Sequence, residues 1–117
     1  MFSLLDSGLA DGVGIQLHLW QGDWDKVLAR ADSLLSRIRA RGDWCSLSEI
    51  GVIAASDKDQ AIIYAAITRL AIKYADIIKR FIIWGITNPC WRGRSVIFDH
   101  DGQPMPSYHA IVEELRK

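Results

Sequence analysis

The sequence has few residues that could cross-link it. Among 117 residues there are 2 cysteines, Cys45 and Cys90, and neither belongs to a CxxC pair or to a Cys/His group with metal-ligand spacing. We therefore expect two free thiols that behave as small buried hydrophobic side chains. His100 and His109 have no third ligand at a recognisable spacing, so we expect neither a metal site nor any cofactor.

The sequence also has no excess of charge of one sign. Its 14 Lys and Arg balance 14 Asp and Glu, which removes the basic surface that nucleic-acid binding requires. The longest nearly apolar run, 61–72, is interrupted by polar residues and is shorter than the about 20 residues of a membrane helix. The first twelve residues contain no Lys or Arg, so they do not predict a signal peptide. We expect no nucleic-acid partner and no membrane span, and the residues leave the compartment unknown.

What the sequence does contain is a regular change of hydrophobic period. Apolar residues alternate with polar ones in the first segment and recur at helical spacing in the next, and this succession then repeats. At 117 residues, below the soft prior of about 150 per domain, one domain is expected. The strands are predicted at 12–19, 45–53 and 81–86, and the helices at 23–41, 57–75 and from Pro106 onward.

These elements predict an α/β fold with parallel strands. A direct hairpin is impossible because a helical crossover separates each strand from the next. Right-handed crossovers place the helices on the same side of a sheet with sequential strand order. Gly42 predicts the end of the first long helix, and Asp57 with Gln60 predicts a capping box at the start of the second.

The sheet face without helices carries polar and aromatic residues. It contains Gln16 and His18 on the first strand, Glu49 on the second and Trp84 on the third. The spacing is 31 residues from His18 to Glu49 and 35 from Glu49 to Trp84, close to the repeat of an eight-unit barrel of about 250 residues. Three such units are about three-eighths of a barrel.

Several pieces of the sequence, in the same order, are similar to a known family. Residues 11–19, Asp-Gly-Val-Gly-Ile-Gln-Leu-His-Leu, resemble the sixth barrel strand of glycoside hydrolase family 10, the endo-1,4-β-xylanases. Residues 48–50, Ser-Glu-Ile, resemble the seventh strand. The eighth strand and the final helix are resembled by residues 84–88 (Trp-Gly-Ile-Thr-Asn), 91–92 (Trp-Arg), 96–99 (Val-Ile-Phe-Asp) and 102–108 (Gly-Gln-Pro-Met-Pro-Ser-Tyr).

The resemblance implies a fold for the whole chain. Residues 1–117 would form the carboxyl-terminal part of a (β/α)8 TIM barrel, with the sixth to eighth βα units and parallel strands. The sequence departs from the family at two positions where Asp is usual, since it has Gly51 and Asn88 there. For a full-length enzyme the resemblance implies a secreted or periplasmic protein.

The resemblance also implies roles for individual residues. Glu49 would be the nucleophile of a glycoside hydrolase, and His18 would orient it. The substrate, β-1,4-xylan or a related β-glycan, would be contacted by Gln16, Trp84, Asn88, Trp91 and Arg92.

A second catalytic carboxyl group is missing from this pattern. Retaining hydrolysis uses two carboxyl groups about 5 to 5.5 Å apart. In the family that the sequence resembles, the acid/base glutamate lies on the fourth strand of the barrel, which this sequence does not contain. We therefore expect little or no xylan hydrolysis by these 117 residues alone. Two other hypotheses remain open: a β-glycan binder without catalysis, and a small α/β module that self-associates. An open three-stranded sheet also predicts self-association or dependence on the missing barrel segment.

Overall fold

Three parallel strands form the centre of the molecule. The structure, a computed structural model, describes residues 2–89 and 95–117. The strand order is β1-β2-β3, and both neighbouring pairs are parallel. The predicted α/β class and strand direction are therefore confirmed. In chain order the elements are α1 (Phe2–Asp6), β1 (Gly12–Trp20), α2 (Trp24–Arg41), β2 (Trp44–Ile53), α3 (Asp57–Lys73), β3 (Ile78–Ile83) and α4 (Pro106–Leu115).

Helices α2 and α3 follow their sequence patterns closely. The apolar positions of α2 face the sheet, and Ala31, Leu35 and Ile38 are buried. Gly42 ends this helix with φ 76°, a left-handed conformation that glycine adopts without steric cost, and its N–H bonds back to the last turn.

The start of α3 differs from the predicted capping box. The N-cap is Ser56, whose Oγ accepts a hydrogen bond from the Asp59 N–H at 3.1 Å. The predicted capping box of Asp57 and Gln60 is wrong because Ser56 is the N-cap and Asp57 is already the first residue of the helix. Gln60 is buried, and its Nε2 donates to the carbonyl of Val52. The helix thus begins as predicted, but a serine caps it.

The hydrophobic core lies on one side of the sheet. Every second residue of β1 is buried there, and the inward residues of α2 and α3 cover them. Burying a side chain of this size stabilises the fold by about 1.5–3 kcal/mol. The fully buried positions include Leu19, Leu35, Ile38, Leu47, Ile50, Ile63, Tyr64 and Ile67. The opposite face of the sheet is left for polar groups.

Strand β3 begins and ends earlier than predicted. The sequence predicted residues 81–86, and the structure has Ile78–Ile83. The strand starts early because Ile78 and Phe81 both pack against the core. It ends early because Gly85, with φ 122°, turns the chain away, and Ile86 is 78% exposed.

A short helix that the sequence pattern did not predict lies at the start of the chain. Phe2 of α1 lies against the guanidinium groups of Arg37 and Arg41, which are 5.0 and 4.7 Å from its ring centre. These cation–π contacts attach α1 to the last turns of α2.

Cys45 is buried and free, as predicted, and burial raises the pKa of its thiol. Cys90 lies outside the described residues. None of the described helices combines the length and the apolar character needed to span a membrane.

Candidate active site

An irregularity in the pairing of β1 and β2 organises the site. Ile15 pairs with Leu47, but the next residue, Gln16, pairs with Glu49. Ser48 is therefore an extra residue in β2, and its Oγ donates to the carbonyl of Ile15 at 3.3 Å. Such a β-bulge changes the face to which the following side chains point. It places Glu49 on the sheet face opposite the helices.

The carboxylate of Glu49 is held at both oxygens by β1. Gln16 Nε2 donates to Oε1 at 2.9 Å, and His18 Nε2 lies 3.2 Å from Oε2. The side chains of His18 and Glu49 are 17% and 22% exposed, so the carboxylate is accessible from one direction. Two fixed contacts restrict the rotation of the carboxylate, and its side chain stays partly exposed on the sheet face opposite the helices.

Gly51 gives His18 the room to reach this carboxylate. The two residues are partners across the β1–β2 pair, and Gly51 is buried. A Cβ atom at Gly51 would lie 3.2 Å from Nδ1 of His18 and 3.9 Å from Cβ of Ser95. Because an ordinary carbon contact is about 3.5–4.0 Å, a side chain at this position would press on the imidazole.

Ser95 is attached to the end of β2 and to α3. Its carbonyl accepts hydrogen bonds from the Val52 N–H at 3.2 Å and from the Tyr64 hydroxyl at 2.7 Å. Ser95 is 2% exposed and Tyr64 is fully buried. These bonds hold the chain that leads to α4 beside Gly51 and therefore close to the site.

Trp84 follows the end of β3 on the neighbouring strand. Its N–H donates to the carbonyl of Ile50 at 2.8 Å, which continues the pairing with β2 beyond Ile83. Ile50 and Ile83 both pack on the helix side, so alternation places the Trp84 indole on the face that carries Glu49. The indole is 44% exposed and offers a flat apolar surface there.

Asn88 is placed differently from the other predicted site residues. It is 6% exposed, and its amide bonds to the backbone of Val96 and to Sδ of Met105. Its own N–H donates to the carbonyl of Phe98. Asn88 thus joins the chain after β3 to the segment before α4, and a sugar contact by it stays a prediction. The predictions for Trp91 and Arg92 lie outside the described residues.

Glu49 is the only acidic residue in the three strands, all of which are described. A separate group, formed by Asp99, His100 and Asp101, brings one potential ligand atom each within 4.8 Å. It is in the loop before α4, and Oδ1 of Asp99 already accepts the N–H groups of Asp101 and Gln103. This is the geometry of a hydrogen-bonded turn.

The sequence predicts site roles for Gln16, His18, Glu49 and Trp84. The structure brings the side chains of Gln16 and His18 into contact with that of Glu49. The sequence analysis gives Ser48 no role, although the spacing of the apolar residues in β2 indicates a bulge there. The apolar side chains that β2 buries are at odd-numbered positions before residue 48, Cys45 and Leu47, and at even-numbered positions after Glu49, Ile50 and Val52.

Comparisons with known proteins agree on one family. The sequence pattern of glycosyl hydrolase family 10 matches residues 2–114. The chain is 26% identical over 108 residues to the bifunctional endo-1,4-β-xylanase XylA of Ruminococcus flavefaciens, a match that covers 90% of this chain and 11% of that protein.

Solved structures show the same fold. Xylanase 10B of Thermotoga petrophila in complex with xylobiose superposes with a TM-score of 0.82 at 26% identity, over 97% of this chain and 39% of that one. A thermostable mutant of xylanase Xyn10A from Cellvibrio japonicus gives 0.83 at 19% identity, over 98% and 43%. The chain therefore spans about a tenth of the curated relative and about two fifths of these structures.

Proposed function

Since the chain belongs to glycosyl hydrolase family 10, we propose that it supplies the nucleophile half of a retaining site for β-1,4-xylan, with Glu49 as the nucleophile. The observation that carries this proposal is the pair of contacts from Gln16 and His18 to the two oxygens of one carboxylate. The xylobiose in the complex of the Thermotoga petrophila relative supports the choice of substrate class.

The proposed reaction has two steps. In the first, an oxygen of the ionised Glu49 attacks the anomeric carbon, and the bond from that carbon to the leaving sugar oxygen breaks. In the second, water attacks the same carbon and releases Glu49. Gln16 and His18 keep the carboxylate in one orientation, which reduces the freedom that would otherwise be lost in reaching the transition state.

The leaving oxygen needs a proton in the first step, and water needs a base in the second. One carboxyl group about 5 to 5.5 Å from the nucleophile serves both purposes in retaining enzymes. Since Glu49 is the only acid in the three strands, this partner would come from chain outside these 117 residues. The chain alone should hydrolyse xylan very slowly.

An activated substrate separates the role of Glu49 from that of its missing partner. A dinitrophenyl leaving group departs as a stable anion, so its release needs no proton. We would treat the chain with a 2,4-dinitrophenyl 2-deoxy-2-fluoro-β-xylobioside, whose fluorine slows the second step. The expected result is one disaccharide attached to Glu49, located by peptide mass spectrometry, with release of dinitrophenolate.

Two variants make this experiment specific. Glu49→Gln should form no adduct, whereas Glu113→Gln, a change at an exposed position on α4, should react like the original chain. An adduct at another carboxylate, or an equal adduct in Glu49→Gln, would contradict the proposal. So would a complete absence of adduct when the chain is assembled with the remainder of a xylanase barrel and that assembly hydrolyses xylan.

A second candidate function is binding of a β-glycan without hydrolysis. The half-exposed indole of Trp84 favours it, because an aromatic face stacks against the apolar face of a sugar ring. In this case Glu49→Gln would leave binding of xylo-oligosaccharides intact, and no adduct would form with the activated xylobioside.

A further inference from the structure

A second exposed indole lies on the sheet face that carries Glu49. Trp20 is the last residue of β1, and it is 43% exposed. Leu19, the residue before it, is fully buried on the helix side, so alternation along the strand points Trp20 to the opposite face. Gln16 and His18, which contact Glu49, lie on this same face of β1. Trp20 therefore continues the row of side chains that begins at the carboxylate.

The backbone on both sides of Trp20 is held in place. Trp20 pairs with Ile53 of β2, and the N–H of Gln21 donates to the carbonyl of Ile53 at 3.0 Å. The carbonyl of Trp20 accepts the N–H of Asp23 at 3.1 Å, and the side chain of Gln21 accepts the N–H of Ala55 at 2.8 Å. These bonds join the chain after β1 to the chain after β2. The indole is therefore presented from a fixed backbone, as a precise binding contact requires.

The fold itself makes no polar or aromatic use of this ring. Within the described ranges, the Trp20 indole has no hydrogen bond and no aromatic or cation–π partner. The ring of Phe2, by contrast, lies against two guanidinium groups, and the ring of Tyr74 lies against Arg39 at 4.2 Å. Trp20 thus offers a flat apolar surface on the same face as the proposed nucleophile.

The position of Trp20 along β1 separates it from the reacting bond. Glu49 is level with Gln16, and Trp20 follows Gln16 by four residues, which is roughly 13 Å along a strand. A sugar ring against Trp20 is therefore remote from the ring that Glu49 would attack. Trp84 is on the other side of Glu49, because β2 lies between β1 and β3. A sugar chain that crosses Glu49 would meet one indole on each side.

We propose that Trp20 stacks against a remote sugar ring of a β-1,4-xylan chain, so that the site favours long oligosaccharides over disaccharides. This proposal rests on the proposed function, because its ligand is the chain that Glu49 would attack. The face of an indole is apolar and packs against the apolar face of a sugar ring. Xylose carries no charge, so this contact needs no charged partner on the protein.

The face of the sheet, and not its edge, presents Trp20. β1 is the first strand in the order β1-β2-β3, so a further strand could pair with its free edge. Such a strand would lie in the plane of the sheet, about 4.8 Å from β1. It would leave the face that carries Trp20 open. In barrels, side chains at the carboxyl ends of the strands surround the active site, which is where a substrate would reach this ring.

The experiment uses the full 117-residue chain and two defined probes, xylobiose and xylohexaose. Isothermal titration gives the affinity of the original chain and of Trp20→Ala for each. Trp20→Phe keeps a smaller aromatic ring and should retain part of the affinity. Trp44→Ala is the matched control, because Trp44 is on the same sheet face with 38% exposure but begins β2 at the opposite end of the sheet. Far-ultraviolet circular dichroism shows that each variant has folded.

The expected result is a loss of affinity that depends on the length of the sugar chain. Trp20→Ala should weaken the binding of xylohexaose by about three- to tenfold, and it should weaken the binding of xylobiose by much less. Equal losses for the two sugars would overturn the proposal, as would an unchanged affinity of Trp20→Ala for xylohexaose. An equal loss in Trp44→Ala would also overturn it, and so would an original chain that binds xylohexaose no better than xylobiose.

A failure of this proposal is distinguishable from a failure of the proposed function. The activated xylobioside reports on Glu49 through a covalent adduct, whereas the titrations report on Trp20. Trp20→Ala should cause the same loss for xylohexaose in the Glu49→Gln background, since stacking does not need the carboxylate. An adduct at Glu49 without a length-dependent loss would refute the role of Trp20 alone. A length-dependent loss without any adduct would refute the role of Glu49 alone.

Discussion

Gln16 on β1 pairs with Glu49 on β2, although Ile15, the residue before Gln16, pairs with Leu47. The strict alternation of a strand would point Glu49 to the same side as Leu47, toward the helices. The extra residue, Ser48, reverses this direction. The contact between the Gln16 amide and the Glu49 carboxylate therefore depends on a single irregularity in the backbone.

Replacing Gly51 by alanine should damage the site while leaving the fold intact. The new Cβ would lie 3.2 Å from Nδ1 of His18, so the imidazole must shift by a few tenths of an ångström, which disturbs the contact between its Nε2 and Oε2 of Glu49. A displacement of a few tenths of an ångström reduces catalysis, and we expect kcat of the assembled barrel to fall by about tenfold with a smaller change in KM.

Gly22→Ala is the control for this change, because a Cβ at Gly22 meets nothing within 4 Å. Initial rates on xylan, measured for both variants in the assembled barrel, give the comparison. Equal rates for Gly51→Ala and Gly22→Ala would show that His18 does not depend on the space at Gly51.

Replacing Trp84 by alanine should weaken the binding of xylo-oligosaccharides. Its indole lies directly after β3 on the sheet face that carries Glu49, and stacking of this kind is worth about 0.5–1.5 kcal/mol, so the affinity should fall by up to about tenfold. Isothermal titration with xylotriose measures this loss. Trp44→Ala, at a position that is 38% exposed, is the matched control, and an equal loss in both variants would exclude a specific role for Trp84.

Replacing Ser56 by alanine should destabilise α3. The Ser56 side chain caps the helix by accepting the N–H of Asp59, and loss of such a cap costs about 0.5–2 kcal/mol. Ser36→Ala, at an exposed position inside α2, should be neutral or slightly stabilising because alanine favours helix. Urea unfolding followed by circular dichroism gives both free energies of unfolding, and an unchanged value for Ser56→Ala would refute the role of the cap.

The free energy of unfolding should decrease in acid, in part because the Asp32 carboxylate becomes protonated and loses its interactions with Lys73 and Tyr74. Hydrogen bonds from Lys73 and then Tyr74 lower the pKa of its carboxyl below the ordinary value of 3.8. A depressed pKa in the folded state stabilises the protein above the unfolded value, and the benefit is lost as the pH falls through the folded pKa. The Asp32 contribution should therefore be complete above about pH 5 and should decrease progressively as the pH falls below 3.8 and through the lower pKa of the folded state.

Urea midpoints measured between pH 7 and pH 2.5 test this dependence. Asp32→Asn should have a lower midpoint than the original chain at pH 7, and the two should converge in acid. The difference should be small because the pair is exposed. Asp11→Asn, at an exposed position before β1, is the control. A constant difference at every pH would assign the effect of Asp32→Asn to lost packing.

Much of the fold could be predicted from hydrophobic periods. The strand that became β1 alternates without interruption, and α2 combines a helical stripe with a glycine stop, so both were predicted within one residue of their bounds. The resemblance to the family then predicted that these strands belong to a (β/α)8 barrel. The parallel direction of the strands followed from the crossover helices.

The remaining features depend on pairing, which a single sequence does not display. The bulge at Ser48 exists because β2 must pair with β1 while burying both Leu47 and Ile50. Strand β3 starts early because Ile78 contacts the core. Ile86 is the same residue type, but its side chain is 78% exposed beyond the end of the strand. The local pattern treats these isoleucines alike, and tertiary packing distinguishes them.

Strand β2 lies between the other two, and this position affects how the molecule opens. Its amide protons are protected by two neighbours, so they should exchange with solvent only when most of the sheet comes apart. Fluctuations that release β3 leave Glu49 bonded to Gln16 and His18, since those residues lie on β1. Glu49, the proposed nucleophile, should therefore be carried by the part of the described sheet that opens last.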